Sequence, residues 1–303
     1  MQKLQNVFVL PFVGGTNFNA ANKIMDDTRE LAVEIKNEIN IENDIKINDE
    51  LLINASHELK TPLNIIYSAA QLIELYLQTN EEDKIAYNIN SIKQNSFRIM
   101  KLFNNILDLH KIETGLLNLN YSYINIVDVV ENVVQSVSKS IKDKQIEVIF
   151  DTDTEERYMM VDIERIERVL LNILSNSVKF TNSGGKVSVN VFTKDDSVKI
   201  AVTDTGIGIE KEHLNKIFNR FAQVDKSLSR SAEGIGIGLK ITKAFVEAHG
   251  GNIKVFSKPK KGSTFIINIP CKHNDTIYTL YPDKIFNYDS LNEMIKIEFS
   301  DIN

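Results

Sequence analysis

The stretch that decides the fold of this chain is Ser56-His57-Glu58-Leu59-Lys60-Thr61-Pro62-Leu63, which lies inside a long helical pattern. From about Ala20 to Asn118 the apolar residues recur at helical spacing, and the only proline is Pro62. An interior proline removes the hydrogen bond to the carbonyl of Glu58, so we expect a kink beside His57. Because such a kink is unusual in a merely structural helix, His57 is a candidate functional residue.

His57 is suited to accept a phosphoryl group, because a neutral imidazole is a competent acceptor near neutral pH. Thr61 follows four residues later on the same helix face, where its hydroxyl could orient a water. The side chain of Glu58 points elsewhere on an ideal helix, so spacing alone gives it no role. The other four histidines lack comparable surroundings and are expected to be structural or exposed: His110, His213, His249 and His273.

The helical pattern divides into two helices separated by the polar stretch Gln78–Asp83. The first helix has one broad apolar face, formed by Leu52, Leu59, Leu63, Ile66, Ala70 and Ile73. The apolar residues of the second follow alternating steps of four and three, with polar Ser96 filling one seam position: Ile85, Ile89, Ile92, Ile99, Phe103 and Ile106. We therefore expect an antiparallel α-helical hairpin. Because two helices alone leave these faces in water, a homodimer that completes a four-helix bundle is predicted.

After Asn118 the pattern changes to that of a mixed α/β layered domain. Short segments rich in valine and isoleucine predict strands at Gln145–Phe150, Lys186–Phe192, Val198–Thr203, Asn252–Phe256 and Thr264–Ile269. Helical patterns alternate with them at Val127–Lys142, Ile163–Val178 and Leu239–Ala248. The tail, residues 273–303, carries no readable motif, so an added strand, an added helix and a loose tail all stay open.

Composition limits the functions that the chain can have. Its 303 residues suggest two domains, and its net charge of −6 argues against nucleic-acid binding as the main function. The single cysteine, Cys271, forms no internal disulfide, which fits a reducing, cytoplasmic compartment. The apolar run Val7–Val13 is far shorter than the ~20 residues of a membrane-spanning helix. We therefore expect a soluble chain that does not require a membrane.

Two glycine-rich segments predict a phosphate-binding site. Asp204-Thr205-Gly206-Ile207-Gly208-Ile209 follows a predicted strand, where its carboxylate can accept a hydrogen bond from an exocyclic amine such as that of adenine. Gly234-Ile235-Gly236-Ile237-Gly238-Leu239 opens a helix whose free amides and dipole attract phosphate oxygens. A dinucleotide site is disfavoured, because no strand abuts these glycines and no acidic residue ends a second strand at the expected distance.

Residues outside the glycine segments can complete this site. Asn172 and Asn176 are four residues apart and share a helix face, with Lys179 three further on. Amide oxygens suit a magnesium ion bound to ATP phosphates, although taken alone two surface asparagines explain the pattern better. The segment Phe218-Asn219-Arg220-Phe221 precedes a polar stretch, Gln223–Glu233, that fits either a mobile lid anchored by aromatics or an ordinary surface loop.

Four segments in this order resemble the histidine protein kinases of two-component signalling: Ser56–Leu63, Asn172–Thr181, Asp204–Ile209 and Gly234–Leu239. The resemblance covers Asn48–Lys272. It implies a dimerisation and histidine phosphoacceptor hairpin joined to an ATP-binding α/β two-layer sandwich of the kind shared with chaperone, mismatch-repair and topoisomerase ATPases. The histidine hairpin separates the chain from those other ATPases.

The resemblance also implies an activity and a set of site residues. The chain would autophosphorylate His57 from ATP and pass the phosphoryl group to an aspartate in the receiver domain of a response regulator. Glu58 would assist as a base, and Thr61 would support dephosphorylation of that partner. The nucleotide site would consist of Asn172 and Asn176 with Mg²⁺, Asp204 on adenine, and Lys179, Gly206, Gly208, Phe218, Phe221, Gly234, Gly236, Gly238 and Leu239.

Three residues depart from the family pattern without removing a required group. Ser177 replaces a common alanine, Gln223 stands where many members have arginine, and Ile235 replaces a frequent hydroxyl residue. These departures bear on how the lid contacts the phosphates, a role in which Lys226 and Arg230 could substitute.

The predicted domains are a hairpin at 48–118 and an ATP-binding domain at 119–272. Residues 1–47 contain a signalling helix and no recognisable sensor, so either another protein supplies the signal or the chain is a truncated form. A nucleotide-binding scaffold whose histidine is unused is the alternative function. A member dominated by phosphatase activity is compatible with the kinase.

Overall fold

The structure is a computed structural model that describes residues 45–194, 196–222, 236–271 and 288–302, with side chains from residue 53 onward. The chain divides into two compact units, Met1–Ser56 and His57–Asn303. In the first unit, the described residues are helical. The second unit contains the remaining helices and both β-sheets.

Two long helices form the hairpin, as predicted. Helix α1 spans Ile45–Thr79 with Pro62 inside it, and helix α2 spans Glu82–Glu113. The turn between them is possible because Asn80 takes a left-handed backbone with φ of 54°, which asparagine tolerates better than most residues. The Lys84 ammonium lies 4.9 Å from the centroid of the Tyr76 ring, which joins the two helix ends across the turn.

The residues of α2 that are buried within one chain form a different row from the predicted dimer seam. Asn88, Asn95 and Leu109 are buried, whereas Ile89 is 40% exposed. The two asparagines tolerate burial because each Nδ2 donates to the carbonyl four residues earlier, at 2.7 Å and 2.8 Å. The residues buried within one chain therefore include Asn88, Asn95 and Leu109, while exposed Ile89 remains available for the predicted dimer seam.

The α/β region that follows has a five-stranded sheet and a two-stranded sheet. The helices are α3 (Ile126–Ser140), α4 (Ile163–Phe180) and α5 (Gly238–Ala248), with a 3-10 turn at Lys142–Lys144. The strands are β1 (Ser122–Asn125), β2 (Glu147–Thr152), β3 (Tyr158–Val161), β4 (Lys186–Lys194), β5 (Ser197–Asp204), β6 (Asn252–Ser257) and β7 (Ser263–Pro270). The large sheet has the order β2-β4-β5-β7-β6, and only its β2–β4 pair is parallel. All five predicted strands and all three predicted helices are present, and β1 and β3 are additional.

The core lies between the large sheet and the helices. In β5 every second residue is buried, including Val198, Ile200 and Val202. Helix α4 presents a matching apolar face with Leu170, Leu171, Ile173 and Leu174 at 0% exposure. A sheet covered on one face by helices is the predicted two-layer sandwich.

Side chains fix where two of these helices begin. The Asn125 carboxamide accepts a hydrogen bond from the N–H of Val127 at the start of α3, and the Asp162 carboxylate accepts one from Arg165 at the start of α4. Both caps lie at the ends of the short strand pair β1–β3. That pair therefore sets the position from which α4 begins.

The described part of the unassigned tail forms an added helix, α6 (Tyr288–Glu298). Its Leu291, Ile295 and Ile297 are buried, and the helix lies against α2, α3 and α4. The Lys101 ammonium of α2 donates to the Glu298 carbonyl at 2.7 Å and pairs with Asp301 at 2.9 Å. Among the described helices, none is long and apolar enough to cross a membrane.

Candidate nucleotide and phospho-acceptor sites

His57 lies on the exposed surface of α1. Thr61, one helical turn later, is also exposed, which confirms that the two share an accessible face. Glu58 is half-buried and Pro62 is buried. An external group can therefore reach the imidazole of His57 without any rearrangement of α1.

Asp204 closes strand β5 with a buried carboxyl that is 5% exposed. Its Oδ1 accepts hydrogen bonds from the N–H of Gly206 at 2.9 Å and of Ser263 at 3.2 Å. Burial raises the pKa of the Asp204 carboxyl, and these two N–H groups lower it in part. Because both donors use Oδ1, the second oxygen is left as an acceptor for a ligand amine.

Glycines surround Asp204 because backbone packs directly against backbone there. A Cβ on Gly206 would lie 2.4 Å from the Phe180 carbonyl oxygen, and one on Gly208 would lie 2.1 Å from that of Lys258. Gly262 has a φ of +85°, and a Cβ there would lie 1.9 Å from the Asp204 carbonyl oxygen. Only glycine fits these positions, so the loops around Asp204 pack closely against one another. We call the surface that they form with Asp204 the Asp204 floor.

Helices α4 and α5 bring the predicted asparagines to the second glycine segment. Asn172 and Asn176 are both half-buried on the same face of α4. The Asn172 Nδ2 donates to the Thr242 hydroxyl of α5 at 2.7 Å. A Cβ on Gly238 would lie 2.6 Å from the Asn172 Oδ1, so the glycine lets the amide approach the start of α5.

The N-terminus of α5 has no side-chain cap among the described residues and lies near cationic side chains. Its cap residue, Ile237, is buried and provides no side-chain hydrogen bond, unlike the capping residues of α3 and α4. Burial lowers the pKa of Lys240, and the positive charges of Arg220 and Lys243 lower it further. Uncapped N–H groups beside clustered cations are suited to phosphate oxygens.

Several predicted residues lie around this site with less defined roles. The Lys179 ammonium is 5.9 Å from the centroid of the Phe180 ring. Phe218, Phe221 and Leu239 are half-buried, and the buried residue of that segment is Ile217 rather than either phenylalanine. Gly236 has a φ of +75° and packs against Ala222. The predictions for Gln223, Lys226, Arg230, Gly234 and Ile235 lie outside the described residues.

The expectation for the other histidines is confirmed for His249. Its ring is 2% exposed, with Nε2 accepting from the N–H of Asp162 at 3.0 Å and Nδ1 lying 2.7 Å from the Phe245 carbonyl oxygen. His213 is half-buried beside Glu212, and His110 is half-buried at the end of α2. His273 lies outside the described residues.

Sequence reasoning missed three residues that build the site: Thr242, Gly262 and Ser263. Gly262 had a readable signal, because it ends the turn sequence Pro259-Lys260-Lys261-Gly262 just before a predicted strand. Thr242 and Ser263 had none, since their importance depends on partners about 60 to 70 residues away.

Two family models match the chain. The His Kinase A (phospho-acceptor) domain matches residues 47–115, and the histidine kinase-, DNA gyrase B- and HSP90-like ATPase matches residues 161–273. Fold and site together define an ATP-binding protein with a phospho-acceptor hairpin. The chain belongs to the histidine kinase family of two-component signalling.

Curated relatives agree with this assignment. The chain is 37% identical over 225 residues to hybrid signal transduction histidine kinase B of Dictyostelium discoideum, a match covering 73% of this chain and 11% of that protein. It is 34% identical over 226 residues to the sensor histidine kinase WalK of Bacillus subtilis, covering 74% of this chain and 36% of that protein. The chain therefore spans only a fraction of the length of these relatives.

Solved structures share the fold. Full-length ShkA in complex with AMPPNP is similar with a TM-score of 0.55 and 24% identity, over 74% of this chain and 46% of that one. Histidine kinase ThkA in complex with response regulator protein TrrA is similar with a TM-score of 0.52 and 24% identity, over 80% of this chain and 67% of that one. Both likenesses include the hairpin as well as the ATPase region, because they cover about three quarters of the chain or more.

Proposed function

We propose that this chain is the catalytic core of a histidine kinase that phosphorylates His57 from ATP and passes the phosphoryl group to a response regulator. The observation that carries the proposal is one chain in which an exposed histidine on a helical hairpin accompanies a domain that matches the histidine kinase-type ATPase. An imidazole nitrogen attacks the γ-phosphorus, a P–N bond forms, the bond to the β–γ bridging oxygen breaks, ADP leaves, and the proton on the other ring nitrogen passes to a base. A receiver aspartate then attacks the phosphorus, the P–N bond breaks, and the ring takes up a proton to become neutral imidazole again.

The nucleotide would bind between the Asp204 floor and the start of α5. The Asp204 oxygen left over from its two N–H bonds would accept the adenine amine. The N-terminus of α5, which has no side-chain cap among the described residues, would hold the phosphates with Lys240 and Arg220 nearby. Catalysis would then come mainly from positioning and charge stabilisation, as is usual for phosphoryl transfer.

The residues present fit a magnesium ion. The described residues contain no group of three or more His, Cys, Asp or Glu side chains that could hold a metal by themselves. Two amide oxygens on one face of α4, those of Asn172 and Asn176, instead match an ion that takes most of its ligands from phosphates and water. When bound, the ion would neutralise charge on the phosphates.

The phospho-acceptor site needs little from the protein beyond access and orientation. His57 is exposed, and Thr61 is one turn away, where its hydroxyl can orient a water for removal of the phosphoryl group from the partner. Glu58 is adjacent in sequence and half-buried, and we assign it the role of assisting base that the family resemblance implies. The ThkA complex with its response regulator supports a receiver domain as the partner.

A homodimer is the expected assembly. The hairpin exposes large apolar side chains that a second hairpin would cover: Ile53, Tyr67, Leu72, Leu75, Leu77, Tyr87 and Ile89. A four-helix bundle formed by two hairpins buries such a surface. The use of ATP and the lone, unpaired Cys271 fit a cytoplasmic location.

The test is incubation of the purified chain with γ-labelled ATP and magnesium. We expect label that is labile in acid and stable in base, and that His57→Gln abolishes while nucleotide binding is retained. His110→Gln is the matched control, because His110 is a half-buried histidine at the end of α2. Label that survives His57→Gln would refute the assignment of the acceptor. ATP binding without any label would favour the scaffold.

A further inference from the structure

Thr242 is a buried hydroxyl in an otherwise apolar part of α5. It is 2% exposed, and its neighbours Ile241, Phe245 and Val246 are buried between 0% and 4%. Burying a hydroxyl lowers the stability of the fold unless the hydroxyl forms a hydrogen bond. Valine has nearly the same shape as threonine and would fill this space without that loss. The partner of the Thr242 hydroxyl is the Asn172 carboxamide, at 2.7 Å.

The hydrogen bond to Thr242 holds the Asn172 carboxamide in place. The bond uses Nδ2, and among the described residues Oδ1 accepts no hydrogen bond. Gly238 packs beside the same carboxamide, since a Cβ there would lie 2.6 Å from the Asn172 Oδ1. While Nδ2 donates to Thr242, Oδ1 is the atom left for magnesium; without the hydroxyl the carboxamide loses this partner and is free to turn, and an amide nitrogen does not bind magnesium.

We propose that Thr242 is a positioning residue that holds the Asn172 carboxamide with its oxygen toward the magnesium and phosphates. The inference rests on the proposed function, since it assigns a role at the same nucleotide site. Partners that orient a metal ligand typically change metal affinity by roughly 10- to 100-fold when removed. Asn176 has no such partner among the described residues, so this positioning concerns Asn172.

The experiment uses the full chain with Thr242→Val, which keeps the volume and removes the hydroxyl, and Thr242→Ser, which keeps the hydroxyl. Binding of ATP is measured in excess EDTA, and magnesium is then titrated into the ATP-bound protein. For Thr242→Val we expect the magnesium midpoint to rise about tenfold, with ATP affinity in EDTA unchanged within about twofold. Thr242→Ser should restore the midpoint to within about threefold of the wild-type value.

A double-mutant cycle separates positioning from a structural role. If Thr242 acts through Asn172, Thr242→Val should have no further effect on the magnesium midpoint in an Asn172→Ala background. An unchanged midpoint in Thr242→Val, an equal loss of ATP affinity with and without magnesium, or additive effects in the cycle would each overturn the inference. Thr242→Ala replaces the valine variant if thermal unfolding shows that the valine is not accommodated.

The wild-type chain distinguishes this inference from the function on which it rests. A wild-type protein that binds no ATP refutes the proposed nucleotide site, and the proposal for Thr242 falls with it. A wild-type protein that binds ATP and magnesium while Thr242→Val does so equally well refutes only the positioning role.

Discussion

Glu167 on α4 is a buried carboxyl that should make the stability of the chain depend on pH. It is 6% exposed, and burial raises its pKa from the ordinary 4.5 to about 7, with the nearby charges of Glu164 and Asp162 adding to the effect. Because the folded pKa lies above the unfolded one, the contribution of Glu167 to stability is complete below about pH 4.5. It is lost as the pH rises toward and through 7.

The size of the effect follows from the two pKa values. A pKa difference of one between the folded and unfolded states corresponds to about 1.4 kcal/mol of folding free energy. The rise of the Glu167 pKa from 4.5 to about 7 therefore corresponds to ~3 kcal/mol. Glu167→Gln keeps nearly the same shape and cannot ionise. We therefore expect this variant to be more stable than the wild type by ~3 kcal/mol at pH 8.5 and about equal to it at pH 4.5.

Urea denaturation at several pH values measures this difference, followed by circular dichroism because the chain has no tryptophan. Glu156→Gln is the control, since Glu156 is exposed and its charge is not among those that raise the pKa of Glu167. Its effect should vary little with pH. A stability difference for Glu167→Gln that is the same at pH 4.5 and 8.5 would show that Glu167 titrates normally, and the reasoning from burial would be refuted.

Two further substitutions test the packing around the nucleotide site. Gly262→Ala should cost more than ~2 kcal/mol in urea denaturation and weaken ATP binding, because its Cβ would lie 1.9 Å from the Asp204 carbonyl oxygen. Gly184→Ala is the control, because Gly184 has a similar φ of +81° but open space around it, and this substitution should cost only about 1 kcal/mol. Equal losses of stability in the two variants would mean that backbone strain, and not the contact with Asp204, causes the loss. Ser177→Ala should stabilise the chain by ~1 kcal/mol, because the buried Ser177 hydroxyl has no hydrogen-bond partner among the described residues. A loss of stability in Ser177→Ala would reveal a partner for that hydroxyl.

Elements with a strong local pattern were predictable from the sequence. Strands β4 and β5 alternate buried and less buried residues along most of their length, and α4 carries a complete apolar face. Strands β1 and β3 have only four residues each, too few for alternation to stand out, and they pair with each other across more than 30 residues of chain. Their existence depends on tertiary pairing, which a local pattern does not encode.

The same division applies to the candidate site. Asp204 and the glycines after it were identifiable because carboxylate, turn and strand end are adjacent in sequence. The burial of Asn88 in α2 was not, because hydrophobicity favours the adjacent Ile89. Burial of Asn88 is possible only because its amide bonds to the Lys84 carbonyl, a compensation that a hydrophobic pattern does not show.

The tail helix α6 shows most clearly how tertiary contacts decide structure. Eleven residues make a marginal helix in water, so α6 depends on the burial of Leu291 and Ile295 against the other helices. Glu298 lies 3.7 Å from Lys101 of α2 and 3.8 Å from Arg168 of α4, so one buried carboxylate connects the hairpin to the ATPase region. Without α6, the apolar faces that it covers would meet water and Lys101 would lose the Glu298 and Asp301 oxygens. The tail is therefore part of the packed unit that contains both sites.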